Sequence, residues 1–362
     1  MIFKQYQYYL TKLFFKNIGI ILLVFIFLSF FLNIFEEIKY FENKENELYY
    51  PIFLTILNIP SIIFEILPFI FLLGVMFFFI NLYEKEEIEL LRSNGINNTK
   101  IAFIISLSSL AMGIILILFY YSFSANLKSL YLNIKYKYST THDHLAVVND
   151  DGLWIKEKSN DNKKNFIINA KTYRINFLEN LQITQLDNDY KIIKTIVSEQ
   201  ADIKNKVWIL DSVKIYSKDK KTETVKNYKY FSTFNEDIIS NLYSNLNSLN
   251  IFQLIKLREN YNSIGYSATD VRLHLNKIYS LPIYLTLTTI IGSLLMIRLT
   301  LIKSKFFLIV VGVIVSVIFY YINYFFILFG KNETLPVEVS IWLPQLIIFL
   351  ICGIGLTRLN EN

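Results

Sequence analysis

"EKEEIELLRSNGINNTKI", residues 84–101, decides how the rest of the chain is read. It is charged, carries a glycine near its middle, and separates two apolar runs at 53–82 and 101–123. The hydrocarbon core of a bilayer is about 30 Å thick, so a crossing helix needs roughly 20 mostly apolar residues. Both flanking runs reach that length, which makes the charged stretch a connection between two membrane spans. Working outward, four more runs of the same kind appear at 13–35, 279–298, 304–329 and 337–357. The segment 126–270 is polar and contains none. The 362 residues are 53% hydrophobic, a balance set by these six runs. The expected fold is a membrane α-helical bundle of six transmembrane helices, three plus three, with an inserted all-β domain. The expected domains are 1–125, 126–270 and 271–362.

The first run is too long for the apolar region of a signal peptide, and no small-residue cleavage site follows it. Lys4, Lys12 and Lys16 precede it, Arg298, Lys303 and Lys305 follow the fourth run, and Arg358 follows the sixth. These cations place both termini and the 84–100 segment in the cytoplasm. The loop after the first run, "EEIKYFENKENELYY", is acid-rich and belongs outside. The insert then lies outside too, in the periplasm of a bacterium with two membranes. The formal net charge of +6 fits cytoplasmic anchoring of the spans and calls for no nucleic acid. Cys352 stands in the last run, so the insert has no disulfide.

Within the insert, "HLAVVNDDGLWIKEKSNDNKKNFIINAKTYR" and "NLQITQLDNDYKIIKTIVSEQADIKNKVWILDSVKIYS" alternate short apolar runs with Asp, Asn and Gly turns. That pattern predicts several strands of a sandwich or jelly roll. Inward positions by alternation include Leu153, Ile155, Phe166, Ile168 and Ile183. "LNSLNIFQLIKLRENYNSIG" reads as an amphipathic helix leading back to the fourth span.

Catalytic motifs are missing. No G-x-x-x-x-G-K-[ST] loop is present, so the chain is not expected to hydrolyse ATP itself. No Ser-His-Asp or Cys-His arrangement is readable. His142 and His144 flank Asp143, but the third histidine, His274, is far off in sequence, and a polar turn is the better reading than a metal site. The chain is expected to be neither an enzyme nor a metal or cofactor binder.

A helix over 84–95 would put Glu84, Ile88 and Leu91 on one face, with Glu87 beside Leu91 on the next. Leu90 and Leu91 supply apolar anchors and Arg92 a cation. Gly95 stands where a glycine ends a helix, and Asn97, Asn98 and Thr99 offer caps for the third span. From these residues alone, a docking helix and a solvated charged loop are equally open.

Several motifs, in order, resemble the LptF/LptG family, the paired permeases of the lipopolysaccharide-export ABC transporter. "EEIELLRSNGI" is similar to the family's charged element, with its glutamate on Glu87 and its glycine on Gly95. The family's P-x7-P-x5-G falls on Pro60, Pro68 and Gly74 in "IPSIIFEILPFIFLLG". "GLWIK" at 152–156 and "QADIKNKVWILDSVKIY" at 200–216 resemble its β-domain signatures. "LNKIYSLP" carries its lysine and proline on Lys277 and Pro282, and "LPVEVSIWLPQLIIFLICG" looks like its last loop and span. The "FEEIK" end of the first span is closer to the LptG branch.

The resemblance implies a permease subunit that pairs with LptF. A separate LptB ATPase dimer, which binds the ATP and Mg, would drive lipopolysaccharide from the inner membrane through a periplasmic β-jellyroll toward LptC and LptA. It makes 84–95 the coupling helix, with Glu87 at the ATPase and spans one and five as gates. It implies lipid contact at the end of span one, "FLNIFEEIKYFENK". There Phe27, Phe31, Ile34 and Phe35 form a wall and Lys39 matches a rim lysine. Asn33 and Tyr40 stand where LptG can carry two more, and Lys44 compensates. A lysine at a span end also simply snorkels to the interface. Glu65, between Pro60 and Pro68, is an intramembrane carboxylate expected to have a structural partner, with Lys277 the candidate. The competing function is a membrane-anchored periplasmic scaffold without transport. A mechanotransmission permease is disfavoured by the three-plus-three layout.

Overall fold

The structure is a computed structural model that describes residues 5–41, 49–137, 153–158, 165–174, 176–187, 191–217, 220–232, 245–263, 267–299 and 304–360, with Phe234, Glu236 and Ile239. Among the described residues, six helices are long and apolar enough to cross a membrane. Spans one and two are Gln5–Phe41 and Tyr49–Glu84. Span three starts at Asn98, and spans four, five and six are Thr269–Leu299, Lys305–Lys331 and Val337–Asn360. The chain divides into two compact units, Met1–Tyr131 with Thr269–Asn362, and Leu132–Ala268. The fold is a membrane helix bundle carrying an all-β insert.

In the first unit, spans two and four are the axis: 61% and 67% of their apolar windows are buried, against 17% in spans one and five. Sequence explains the difference. Span two is apolar all round, which suits a helix enclosed on every side. Phe14 packs edge-on against Phe71 and Phe78 at its heart. Between helices in lipid the gain comes from close packing rather than from leaving water, so small residues matter at crossings. A Cβ on Gly74 would lie 2.8 Å from Ile18 Cγ1, and one on Gly113 would lie 2.6 Å from Pro282 Cα. Those two glycines let spans one and four approach their neighbours at backbone distance.

Span three departs from expectation. Its helix does not end near 123. It passes through a π-helical turn, Leu116–Tyr121, and continues as Ser122–Lys137. Ala125, Tyr131 and Leu132 are buried along this extension, which gives it a packing face that the polar composition hid. The wide turn brings two adjacent tyrosines onto the bundle. Tyr120 donates to the Pro60 carbonyl at 3.1 Å, and the Tyr121 hydroxyl lies 3.0 Å from His274 Nε2. Phe64 touches both rings. Pro60 and Pro68 sit inside span two without ending it, as neighbouring helices in a membrane bundle allow.

The second unit holds β1 Leu153–Lys158, β2 Asn165–Arg174, β3 Phe177–Leu186 and β4 Ile192–Asp202. They are followed by β5 Val207–Asp211, β6 Val213–Ser217, β7 Lys220–Val225 and β8 Tyr228–Phe231. The first four pair antiparallel in sequence order, and β4 then branches. Its end pairs with β5, which carries β8, and its start pairs with β6, which carries β7. Inward residues from seven of the eight strands meet in one core around Trp208, whose Nε1 donates to the Phe234 carbonyl at 2.8 Å. A helix, Ile251–Ser263, follows. Asn250 and Gln253 cap its start reciprocally, each side chain accepting from the other's backbone N–H at 2.9 Å.

Candidate functional site

The junction between spans two and three is built, not loose. Span two ends at Glu84, and the short helix is Glu87–Ser93. Glu84 therefore does not belong to a helix 84–95. The break comes at Glu86, whose φ of 58° is left-handed without a glycine. At the other end Gly95, at φ 77°, closes the helix. Its N–H donates to the Arg92 carbonyl at 2.9 Å and the Ile96 N–H to the Leu91 carbonyl at 3.0 Å, the paired bonds of a Schellman end. Ile88, Leu91 and Ile96 are buried in the bundle's main core. Each buried aliphatic side chain holds the element by about 1.5–3 kcal/mol relative to water. Leu90 points the other way and is 65% exposed, between exposed Glu86, Glu89 and Asn94.

Polar ties fix the helix further. The Tyr9 hydroxyl donates to Glu87 Oε2 at 2.6 Å, linking span one to the helix. Lys85 lies 4.0 Å from the same carboxylate. Glu84 pairs with Lys305 at the start of span five. Arg92 Nε donates to Asn98 Oδ1 at 3.2 Å, so Asn98 serves the helix, and Asn97 begins span three without a side-chain cap. Such surface pairs are worth roughly 0–1 kcal/mol each, so burial positions the helix and the pairs set its orientation. Glu87 is thus held within the chain, and Leu90 is the apolar side chain presented outward.

At the opposite end of the bundle, Phe27, Phe31 and Phe35 form an exposed stripe on span one, with Ile34 half-buried beside it and Lys39 exposed above. Lys44 lies outside the described residues. Asn33 does not reach out as a lysine would. It accepts from Asn58 Nδ2 at 3.1 Å, and Asn58 in turn accepts from Lys128 at 2.6 Å. Lys128 Nζ also sits 4.6 Å above the Tyr131 ring, and Tyr131 donates to the buried Glu37 at 2.7 Å. Spans one, two and three are joined here by a polar cluster whose members Lys128, Tyr131 and Glu37 sequence reading passed over. A lysine three residues before a tyrosine on an extended span three was the available signal.

Glu65 lies on an exposed face of span two and shares a cavity of about 500 Å³ with Lys277, Ser316, Asn323 and Gln345. Pro68 lines the same cavity, whereas Pro60 and Gly74 face helix contacts.

In the β unit, Leu153, Ile155, Ile168 and Ile183 are buried and Phe166 packs partly buried against them. Sequence reading missed a buried carboxylate among them. Glu157 accepts from the Tyr230 hydroxyl at 3.1 Å and from Ser232 Oγ at 3.2 Å. Burial first, and the Glu157 charge second, push the Tyr230 hydroxyl pKa well above the usual tyrosine value.

His142, Asp143, His144 and Gly152 lie outside the described residues. Among the described residues no group of three or more His, Cys, Asp or Glu is placed to hold a metal ion.

The family model described as "Lipopolysaccharide export system permease LptF/LptG" matches residues 8–358. Curated proteins gave no match. With nearly the whole chain covered, six membrane-length helices and a β insert between the third and fourth, the chain belongs to the LptF/LptG family and is a multi-pass inner-membrane permease of the lipopolysaccharide-export ABC transporter.

Proposed function

We propose that this chain is the LptG-type half of the exporter, pairing with an LptF-type permease around the lipid path. The single observation that carries the coupling step is the short helix Glu87–Ser93, which is anchored by Ile88 and Leu91 and presents Leu90 outward among acids. An LptB-type ATPase dimer, supplying ATP and Mg, would seat this face in a groove with apolar floor and basic rim. Rigid anchoring matters because a flexible loop would absorb the ATPase's motion instead of passing it to spans one, two and three.

Orientation follows the cations. Lys12, Lys16, Lys85, Arg92, Lys100 and Lys305 gather toward the end of the bundle that bears the helix, which favours cytoplasmic termini and a periplasmic β-jellyroll. Spans one and five, the least enclosed, then act as gates, and the Phe27–Phe31–Phe35 stripe meets acyl chains. Lys39 and Lys128 supply cations for the lipid phosphates at the outer rim. The β interior around Leu153, Ile155, Phe166, Ile168 and Ile183 receives the lipid and passes it toward LptC and LptA.

The test is copurification in mild detergent of the tagged chain beside Leu90→Asp and Glu87→Arg. Recovery of a soluble ABC ATPase and a second six-span permease with the wild type, with the ATPase lost from Leu90→Asp, supports the reading. Absence of both from the wild type, with a periplasmic protein bound equally by all three, would replace it with a membrane-anchored scaffold.

A further inference from the structure

Glu65 sits sixteen residues into span two, about 24 Å along the helix from Tyr49 at 1.5 Å per residue. A carboxylate at that depth is costly in hydrocarbon and is found facing protein or water. It faces the cavity of about 500 Å³ enclosed by spans one, two, four, five and six. Lys277, Asn323 and Gln345 also line this cavity, and each lies eight residues from the insert-side end of its own helix. Three helices thus place a polar group at one level, about 12 Å in.

Two polar atoms on the cavity wall lack any hydrogen-bond partner: Ser316 Oγ and Gln345 Oε1. Ser316 is 6% exposed and Gln345 is 4% exposed, so bulk solvent does not reach them over the outer surface. The amide nitrogen of Gln345 is already used on Asn323 Oδ1 at 3.2 Å. A serine in a membrane helix ordinarily bonds back to a carbonyl one turn earlier, as Ser106 and Ser293 do in this chain. Orphaned buried acceptors and hydroxyls in a native fold point to a partner that supplies the missing bonds. Acyl chains supply none.

We propose that this cavity is a hydrated pocket inside a single permease chain, taking water and small hydrophilic hydrogen-bonding solutes from the insert side. The volume admits several molecules at about 30 Å³ of liquid per water. Ser316, Asn323 and Gln345 give them two to four polar partners, and the water keeps Glu65 and Lys277 solvated within the span bundle. The pocket does not depend on the coupling reading, because it lies within one chain and needs no ATPase.

The test is cysteine accessibility in the full-length chain coexpressed with its complex in spheroplasts, on a Cys352→Ser background. Ser316→Cys is near-isosteric, and Ile314→Cys, on an outward apolar face of the same helix, is the control. The probe is a membrane-impermeant trimethylammonium thiosulfonate, which reacts with thiolate and therefore with hydrated thiols. The expected result is labelling of Ser316→Cys at least about 10-fold faster than Ile314→Cys, slowed when Gln345→Leu is added. Labelling of Ser316→Cys by N-ethylmaleimide but not by the charged reagent would mean acyl chains fill the cavity and would overturn the proposal. Labelling by neither reagent, with a full thiol count after denaturation, would mean a closed dry cavity and would overturn it as well.

Discussion

The Tyr9 hydroxyl donates to the Glu87 carboxylate at 2.6 Å, across 78 residues of sequence. It is the direct link between span one, the least enclosed helix near the lipid, and the short helix proposed to meet the ATPase. A hydrogen bond to a charged group contributes about 1.5–3 kcal/mol when enclosed, and less here because Glu87 is partly exposed. Tyr9→Phe should leave ATPase copurification intact and lower lipid release per ATP hydrolysed by about 3–10-fold. Paired measurements of ATP turnover and lipid transfer in proteoliposomes check this. An unchanged ratio would remove Tyr9 from the coupling path.

Gly95 should tolerate little. At φ 77° an alanine costs about 1–2 kcal/mol, whereas asparagine enters this region more readily. Gly95→Ala should reduce the recovered ATPase and Gly95→Asn should restore most of it. Equal recovery from the two variants would show that backbone strain at this helix end is immaterial.

The Glu37 carboxylate is buried and bonded to Tyr131. Tyr131→Phe removes a donor from it and should cost about 1–3 kcal/mol, lowering the detergent-phase Tm by several degrees. Glu37→Gln keeps the shape and an acceptor oxygen and should cost less. The two Tm shifts, measured side by side, give the ranking, and the reverse order would mean the charge rather than the hydrogen bond holds the cluster.

Tyr230 gives the β unit an alkaline limit. Its folded pKa is raised by burial and by Glu157, while the unfolded chain releases the proton near 10. The folded state therefore binds the proton more tightly. The stability this contributes is complete below about pH 10 and is lost as pH climbs further. Alkaline unfolding followed by tryptophan fluorescence should be less steep in Tyr230→Phe than in the wild type. Parallel curves would mean other groups set the limit.

Six spans and a β insert were legible because each signal is local. A 20-residue apolar run and a two-residue alternation need no knowledge of what lies opposite. The inward set Leu153, Ile155, Phe166, Ile168 and Ile183 follows from alternation and meets in one core. What escaped was long-range or unsignalled. The charged run 84–95 reads as one helix, yet it breaks at Glu86, which adopts a left-handed backbone without glycine or proline to announce it. Glu87 reads as surface, but Tyr9 reaches it from another span. Lys128, Tyr131 and Glu37 are unremarkable singly and form a cluster only because span three runs to Lys137. The polar wall of the cavity is spread over spans two, four, five and six, with too few residues on each to alter its hydropathy.

The π-helical turn at Leu116–Tyr121 gives span three a phase as well as a length. Each residue of an α-helix turns the chain by about 100°, and a π turn accommodates one residue more than an α turn would. Deleting one residue there would let the segment relax to α-helix and rotate everything beyond it by about that angle. Lys128 and Tyr131 would swing away from Asn58 and Glu37 while every apolar residue of the span stayed in place. Two homologues with equally apolar third spans, differing by that single residue, would then present different faces to spans one and two. Gap placement in this short segment would separate such variants more sharply than overall identity does.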